Sequence, residues 1–450
     1  MTFQAYNTLT RQKEPLEPIE PGKVGFYVCG PTVYDLIHLG NARPLVVFDV
    51  LFRLLRLEYG NGNVKYVRNI TDVEDKINAA AKERGIAISE LTATTTERFH
   101  EDAAALVCLE PTVEPRATAH IPEMITLMET LIARGHAYVA EGHVLFDVPS
   151  YAPYGKLSGN SRDEIVAGAR IEVAPYKKDA ADFVLWKPST DDQPGWESPW
   201  GFGRPGWHLE CSAMSHKHLG ANFDIHGGGR DLIFPHHENE VAQTCAADPE
   251  SGFARMWMHN GYLSVDGEKM SKSLGNFHTV RDLLEDWPGE ALRFALLTAQ
   301  YRQPLDFTFD LLKQAKASLD RFYNALAQSA EPAAGPVPDD VLTALNDDLN
   351  TPQAISIMHS LADGVFRGEK GAGAALRGAG AVMGLLQSSA KEWFQSGDDD
   401  EAGEIEDLIA QRLAARANKD FAEADRIRDA LKARSIDLMD GPEGTTWRRT

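Results

Sequence analysis

The sequence predicts an α/β protein, a parallel-sheet domain carrying an insertion and followed by an all-α C-terminal region. Three observations carry that prediction. Residues 24–70 read as strand, helix and strand in succession, a βαβ unit whose parallel strands need a right-handed crossover. Residues 136–206 break into short β-like pieces among turns dense in proline, glycine and tryptophan, which suits an insertion or large loop better than sheet core. From Val280 onward the apolar spacing is helical almost throughout.

Val24-Gly25-Phe26-Tyr27-Val28-Cys29 is apolar, β-branched and aromatic, and of strand length; Gly30 and Pro31 end it. After a short turn, Val46, Val47, Val50, Leu51, Leu54 and Leu55 recur at three-and-four spacing, the face of one helix. Pro44 suits that helix's first turn, where its missing N–H is no loss. Residues 64–70 form the second strand, and Thr71-Asp72 stand at its carboxyl end, where open α/β sheets bind ligands. Helical patterns follow at 72–84, 91–109 and 121–134, the first stopped by Gly85 and the last by Gly135. Within the insertion, 137–139, 144–148 and 182–186 are β-like. A helix begins at Trp207, a short strand covers 223–226 before Gly227-Gly228-Gly229, and another helix follows Pro235. Residues 261–276 suit a loop and hairpin. Residues 330–338 and the acidic run 397–407 suit linkers, the latter solvated rather than structured. Residues 408–433 are helical and 441–448 turn-rich.

A chain of 450 residues holds about two to four domains. Four cysteines are too few for a disulfide scaffold and suit a reducing, cytoplasmic compartment. Residues 1–14 lack an apolar stretch, so no signal peptide is expected, and no apolar run is long and uncharged enough for a membrane span. The net charge of −21 excludes a generic basic nucleic-acid coat, though not a shaped RNA partner met by local basic patches.

His236 and Glu240 stand four residues apart, on one helical face. With Cys29 and Cys211 they offer two thiolates, an imidazole and a carboxylate, a donor set that suits zinc. These residues are scattered, so only the fold can assemble them; on spacing alone, a core histidine with two packed thiols is the competing reading. Cys108 and Cys245 read as ordinary packed thiols. Lys269-Met270-Ser271-Lys272-Ser273, between Gly267 and Gly275, puts two mobile ammonium groups three apart on a flexible loop. They suit charge developing on a triphosphate, or else a solvated basic loop. The helix start near His38 offers free N–H groups to a phosphate, or is an ordinary strand-to-helix corner.

In this order and separation, His38-Leu39-Gly40-Asn41 and Lys269-Met270-Ser271-Lys272-Ser273 resemble the two nucleotide motifs of the class I aminoacyl-tRNA synthetases. More narrowly, Tyr27-Val28-Cys29-Gly30-Pro31-Thr32-Val33-Tyr34-Asp35, Arg68-Asn69-Ile70-Thr71-Asp72, Arg204-Pro205-Gly206-Trp207-His208-Leu209-Glu210-Cys211-Ser212-Ala213-Met214 and Phe234-Pro235-His236-His237-Glu238-Asn239-Glu240 are similar to the cysteinyl-tRNA synthetase family. The tail resembles that family's anticodon end through Phe421-Ala422-Glu423-Ala424-Asp425-Arg426-Ile427-Arg428 and Gly444-Thr445-Thr446-Trp447-Arg448.

The resemblance implies a Rossmann-like catalytic domain whose first half covers 1–120 and second half 206–250, split by a connective insertion at 121–205. It implies a lysine-loop (KMSKS) stem-contact region at 251–315, a helical bundle domain at 316–396, and an acidic linker with a C-terminal anticodon-binding module at 397–450. The implied reaction joins L-cysteine and ATP, with Mg2+, into cysteinyl-adenylate and transfers the cysteinyl group to the 3′ end of tRNA(Cys). One Zn2+ per chain is implied on Cys29, Cys211, His236 and Glu240. His38, Asn41, Lys269 and Lys272 are implied as catalytic; Gly40, Gly229 and Asp231, with His38, Asn41 and Lys272, as nucleotide contacts; and Gly30, Thr32, Thr71 and Trp207 as walls of the amino-acid pocket. Asp231 has the alternative of a helix cap. Zinc answers a real difficulty, because shape separates cysteine from serine poorly, by roughly 1–3 kcal/mol per small group, whereas a zinc-bound thiol ionises. A monomer without an editing domain is expected.

One departure stands out: the family's first motif usually ends in histidine, and here it ends in Asn41, which can donate to a phosphate oxygen but carries no charge. Arg230 also stands where a small residue is expected. Two rival functions share these motifs. An ATP-dependent cysteine ligase of the mycothiol-pathway type, acting on an amino sugar, has no use for residues 408–433 or Trp447-Arg448, which suit stacking on unpaired bases. A non-catalytic RNA-binding paralogue has no use for Lys269 and Lys272.

Overall fold

The computed structural model describes residues 2–449 apart from 162–163, 165–173, 271–275, 330–332, 396–398, 435 and 442–443. A hairpin of β1 (Gln4–Asn7) and β2 (Gln12–Pro15) leads into β3 (Val24–Val28), α1 (Leu39–Tyr59) and β4 (Val64–Arg68). Helices α2 (Asp75–Arg84), α3 (Ile88–Ala105) and α4 (Ile121–Ala133) follow. Next comes a four-stranded antiparallel sheet of β5 (Ala137–Ala140), β6 (His143–Phe146), β7 (Phe183–Pro188) and β8 (Gly203–Pro205). The insertion thus has a sheet of its own, closed over buried Phe146, Leu185 and Trp186.

The chain then returns through the helix Trp207–Leu219, β9 (Asn222–Gly229), the helix Glu238–Ala247 and β10 (Phe253–Asn260). β10, β9, β3 and β4 lie in that order in one parallel sheet. A parallel sheet covered on both faces buries its strands, which is why Val24, Phe26, Tyr27 and Val28 are all apolar and buried. Tyr27 pairs with His226 and Val28 with Gly227, so the carboxyl end of β3 opens beside the glycine run. The strand expected at 223–226 continues through Gly229. Glycine is needed within it, because a Cβ on Gly227 would stand 2.4 Å from the ring of Phe48 on α1.

β11 (Leu263–Val265) and β12 (Glu268–Lys269) make the expected hairpin, and β13 (Leu305–Phe307) pairs with β11 in parallel. The chain divides into two compact units: residues 1–315, 339–356 and 382–384, and residues 316–338, 357–381 and 385–450. A buried charge network holds part of the first. Arg293, fully buried, donates to Asp49 Oδ2 at 2.5 Å, Met383 O at 2.7 Å and Leu106 O at 3.0 Å. Gly384 makes room for it, since a Cβ there would meet the guanidinium at 2.5 Å. Removing Arg293 takes one of the two guanidinium partners of Asp49, Arg53 remaining at 2.7 Å, and leaves the buried carbonyls of Met383 and Leu106 without that donor. Arg293→Met is expected to cost about 3–5 kcal/mol in denaturant unfolding, and a loss under about 1 kcal/mol would contradict this account.

In the second unit the expected acidic linker is not one. Residues Asp399–Ala417 form a helix, anchored by buried Ile405 and Ile409, and acidic residues at a helix N-terminus are favoured by its dipole. The helix Phe421–Ala433 packs on it, and the turn-rich tail closes the all-α run with a hairpin of β14 (Ile436–Gly441) and β15 (Gly444–Arg449). Ile427, Leu431, Ile436 and Trp447 complete this small core, with the Trp447 indole donating to Glu406 Oε1 at 2.9 Å. Among the described residues, no helix is long and apolar enough to cross a membrane.

Candidate active site

Three separate parts of the fold deliver one donor cluster at the carboxyl end of the parallel sheet. Cys29 follows β3, Cys211 lies in the helix Trp207–Leu219, and His236 and Glu240 flank the start of the helix Glu238–Ala247. Cys29 Sγ stands 3.7 Å from Cys211 Sγ, 3.4 Å from His236 Nε2 and 3.5 Å from Glu240 Oε1, and His236 Nε2 lies 3.0 Å from Glu240 Oε1. A tetrahedral zinc with bonds of about 2.0–2.3 Å sets its ligand atoms about 3.3–3.8 Å apart, a range that holds the three separations from Cys29, the His236–Glu240 pair being closer at 3.0 Å. The electrostatics also ask for a cation. Burial raises the Glu240 carboxyl, but His226 and His236 outweigh it and hold the group well below the carboxylate range. Burial likewise opposes the Cys211 thiolate, yet the S–H of Cys29 and the ring of His236 bring it down to about 6. Cys29 itself is pushed up by burial and by Cys211. His236, despite burial, is raised to about 10 by Glu240 and Cys211. Two buried anionic donors therefore share protons among themselves, where a divalent ion would replace those protons.

The structure also brings in residues that sequence reasoning missed. His226 Nε2 lies 2.9 Å from Glu240 Oε2, and His237 Nε2 lies 3.3 Å from Cys29 Sγ. His208 Nδ1 meets His236 Nδ1 at 2.9 Å and orients that ring, while burial, then His236, lowers His208 to about 3 and keeps it neutral. The signal for His237 was its place beside His236 and three residues before Glu240. His226, inside a strand, gave none.

Gly30, Thr32 and Thr71 gather beside Cys29. The Gly30 N–H donates to Asn69 Oδ1 at 2.9 Å, Thr71 Oγ1 donates to Glu210 Oε2 at 3.0 Å, and Thr32 pairs with Thr71 as an isolated bridge. Only glycine fits at position 30, because a Cβ would come within 1.6 Å of Asn69 O. Trp207, 38 % exposed, stacks on His236 with ring centroids 4.2 Å apart.

A second cluster forms at the start of α1. His38 caps that helix: Gly40 N–H donates to His38 Nδ1 at 3.0 Å, and His38 N–H donates to Asn41 Oδ1 at 3.4 Å. With Nδ1 accepting, a neutral His38 carries its proton on Nε2. The segment after the lysine loop is strapped to this corner, because Leu39 N–H donates to His278 O at 3.3 Å and Val280 N–H to Ile37 O at 2.9 Å. Within the loop, Met270 reaches the corner, its Cε 3.1 Å from where a Cβ on Gly40 would stand. Lys269 ends β12 and is exposed, whereas Lys272 lies outside the described residues. Asp231 and Arg230 are exposed in the turn that follows Gly229. Gly229 is the cap of that turn, so Asp231 is not its N-cap. Nothing in the structure explains Arg230.

Comparisons with known proteins agree in direction. Residues 15–317 match the family model for the class I (C) tRNA synthetase catalytic domain, residues 340–387 a DALR domain, and residues 398–448 the cysteinyl-tRNA ligase anticodon binding domain. The chain is 60% identical over 464 residues to the cysteine–tRNA ligase of Paramagnetospirillum magneticum, covering 100% of both. It is 59% identical over 460 residues to that of Rhodospirillum rubrum, again covering 100% of both. Among solved structures, Mycobacterium tuberculosis methionyl-tRNA synthetase bound by methionyl-adenylate shares the fold with a TM-score of 0.59 at 14% identity, over 84% of this chain and 95% of that one. Over its whole length, then, the chain belongs to the cysteinyl-tRNA synthetases, a family of class I aminoacyl-tRNA synthetases.

Proposed function

We propose that this chain activates L-cysteine with ATP to cysteinyl-adenylate and passes the cysteinyl group to the 3′ end of tRNA(Cys), using zinc to select cysteine. The observation that carries this is the gathering of Cys29, Cys211, His236 and Glu240 into one buried donor set in a member of that family. Zinc held there supplies a bond to the substrate's thiolate that the hydroxyl of serine cannot match. Gly30, Thr32, Thr71 and Trp207 wall the amino-acid pocket, Thr71 being positioned by the carboxyl of Glu210.

The carboxylate of cysteine is the nucleophile. It attacks the α-phosphorus of ATP, which is bound with Mg2+, and pyrophosphate leaves; a ribose hydroxyl at the tRNA 3′ end then attacks the carbonyl and AMP leaves. Catalysis is mostly positioning and electrostatics. His38 donates from Nε2 to a phosphate oxygen, the N-terminus of α1 adds its dipole, and Gly40 and Gly229 allow close approach. Asp231 meets the ribose hydroxyls. Lys272, helped by Lys269, neutralises charge developing on the phosphates. Asn41 serves first as the partner of the His38 backbone N–H, so Asn41→His is expected to change the adenylation rate by less than about a hundredfold. A larger change in pyrophosphate exchange would give Asn41 a direct role.

We further propose the six-part division at 1–120, 121–205, 206–250, 251–315, 316–396 and 397–450, supported at its C-terminal end by the DALR match at 340–387 and the anticodon-domain match at 398–448. A monomer in the cytoplasm fits this activity. The test is cysteine-dependent ATP–pyrophosphate exchange, with serine as control, followed by cysteine transfer to total tRNA. Exchange with transfer supports the proposal. Exchange without transfer favours an amino-sugar ligase, and no exchange favours a non-catalytic paralogue.

A further inference from the structure

The donor cluster extends past the four residues above. Cys29 Sγ lies 3.3 Å from His237 Nε2 and 3.5 Å from Glu240 Oε1, His226 Nε2 lies 2.9 Å from Glu240 Oε2, and His237 Nε2 lies 3.9 Å from Glu240 Oε1. One donor atom from each of Cys29, His226, His237 and Glu240 falls within 4.8 Å of every other, as it does for the outer set of Cys29, Cys211, His236 and Glu240. We propose that Cys29, His226, His237 and Glu240 form a second, inner position for a divalent transition-metal ion, sharing the Cys29–Glu240 edge with the outer one. This rests on the zinc assignment made above and adds a second resting place for the ion.

Three features support it. His237 has the outer support expected of a metal ligand: its Nδ1 lies 2.8 Å from His259 Nε2, whose Nδ1 lies 2.7 Å from Thr8 Oγ1. With the Thr8 hydroxyl accepting from His259, His259 accepts from His237 Nδ1–H, and the His237 Nε2 lone pair faces Cys29. His226 is fully buried, with its Nε2 turned toward Glu240 Oε2. Finally, the chemistry is suitable: one thiolate, two imidazoles and a carboxylate is a tetrahedral set for zinc or cobalt.

The two positions differ in reach. The outer set has His236 stacked on half-open Trp207. The inner set has His226 stacked on buried Trp257, centroids 4.5 Å apart, with His226, His237 and Glu240 all 0% exposed. An ion in the inner position balances the buried charge yet stands behind the outer ligands, away from the pocket wall. Metal retention and cysteine recognition therefore separate.

The test titrates the full chain with cobalt(II) chloride, reading cobalt per chain by metal analysis and the sulfur-to-cobalt charge-transfer band. The wild type is expected to bind one ion. Cys211→Ser/His236→Ala, which removes only outer ligands, is expected to keep about one ion, with the band near half intensity because one thiolate remains, while losing cysteine activation. Adding His226→Ala/His237→Ala is expected to release it. A double variant that binds no cobalt beside a wild type that binds one overturns the inner position alone; a wild type that binds none overturns the zinc assignment with it. Should the double variant not fold by circular dichroism, Cys211→Ser alone decides. Cobalt kept there and lost on adding His237→Ala supports the inner position, and cobalt lost from Cys211→Ser itself overturns it.

Discussion

Cys29→Ala is expected to lose bound zinc and cysteine activation together, lowering kcat/KM for cysteine in pyrophosphate exchange by about a thousandfold or more, which is roughly 4 kcal/mol of transition-state stabilisation. No other thiol has its place. Its sulfur contacts Cys211, His236, His237 and Glu240 at 3.3–3.7 Å and so belongs to both donor sets. Without it Glu240 and Cys211 remain as anionic donors around a gap, and neither tetrahedron can close. The half-buried position lets the fold survive, so thermal unfolding of the variant should stay cooperative. Metal analysis and exchange kinetics on the same sample check the outcome. Full retention of zinc with unchanged discrimination against serine would contradict the role assigned to Cys29.

Lys272→Ala should act at the other end of the site. Adenylate formation is expected to fall by about 10²–10³-fold, with the KM for cysteine nearly unchanged, because a charge that serves only the transition state lowers kcat without touching ground-state binding. Transfer from preformed adenylate to tRNA should be spared. The position of the loop gives the physical reason. Met270 rests against Gly40, and residues 278–280 are strapped to 37–39, so both flanks of the loop are tied to the N-terminus of α1. Single-turnover kinetics separate the two steps. A variant that raises the KM for cysteine instead would move Lys272 into the amino-acid pocket.

Legibility in the sequence followed burial. β3, α1 and β4 stood out because a sheet covered on both faces demands continuous apolar runs, and the helix demands a three-and-four stripe. β10 did not, since Phe253–Asn260 mixes alanine, arginine, methionine and tryptophan with polar residues and lacks a strand's alternation. The acidic run misled because its charges resemble a solvated linker, while Ile405 and Ile409, too few to show a period, tie the helix down. The site was partly legible for a different reason. Cys29, Cys211, His236 and Glu240 were candidates by residue type, but their gathering is a product of strand order, which no local pattern encodes. His226 escaped because a histidine within a strand carries no spacing of its own, whereas His237, beside His236 and three residues before Glu240, did carry a signal. At the helix start the motif residues were visible, yet the reciprocal bonds by which His38 and Asn41 cap α1 depend on backbone geometry.

The central claim is that a metal on Cys29, Cys211, His236 and Glu240 separates cysteine from serine. The direct measurement compares pyrophosphate exchange with each amino acid, using the chain loaded with zinc and then stripped by a chelator. The account predicts a loaded enzyme that prefers cysteine by about 10⁴-fold or more in kcat/KM, and a stripped one that loses both that preference and most of its activity, with zinc restoring both. A preference for cysteine that survives complete removal of the metal would contradict it.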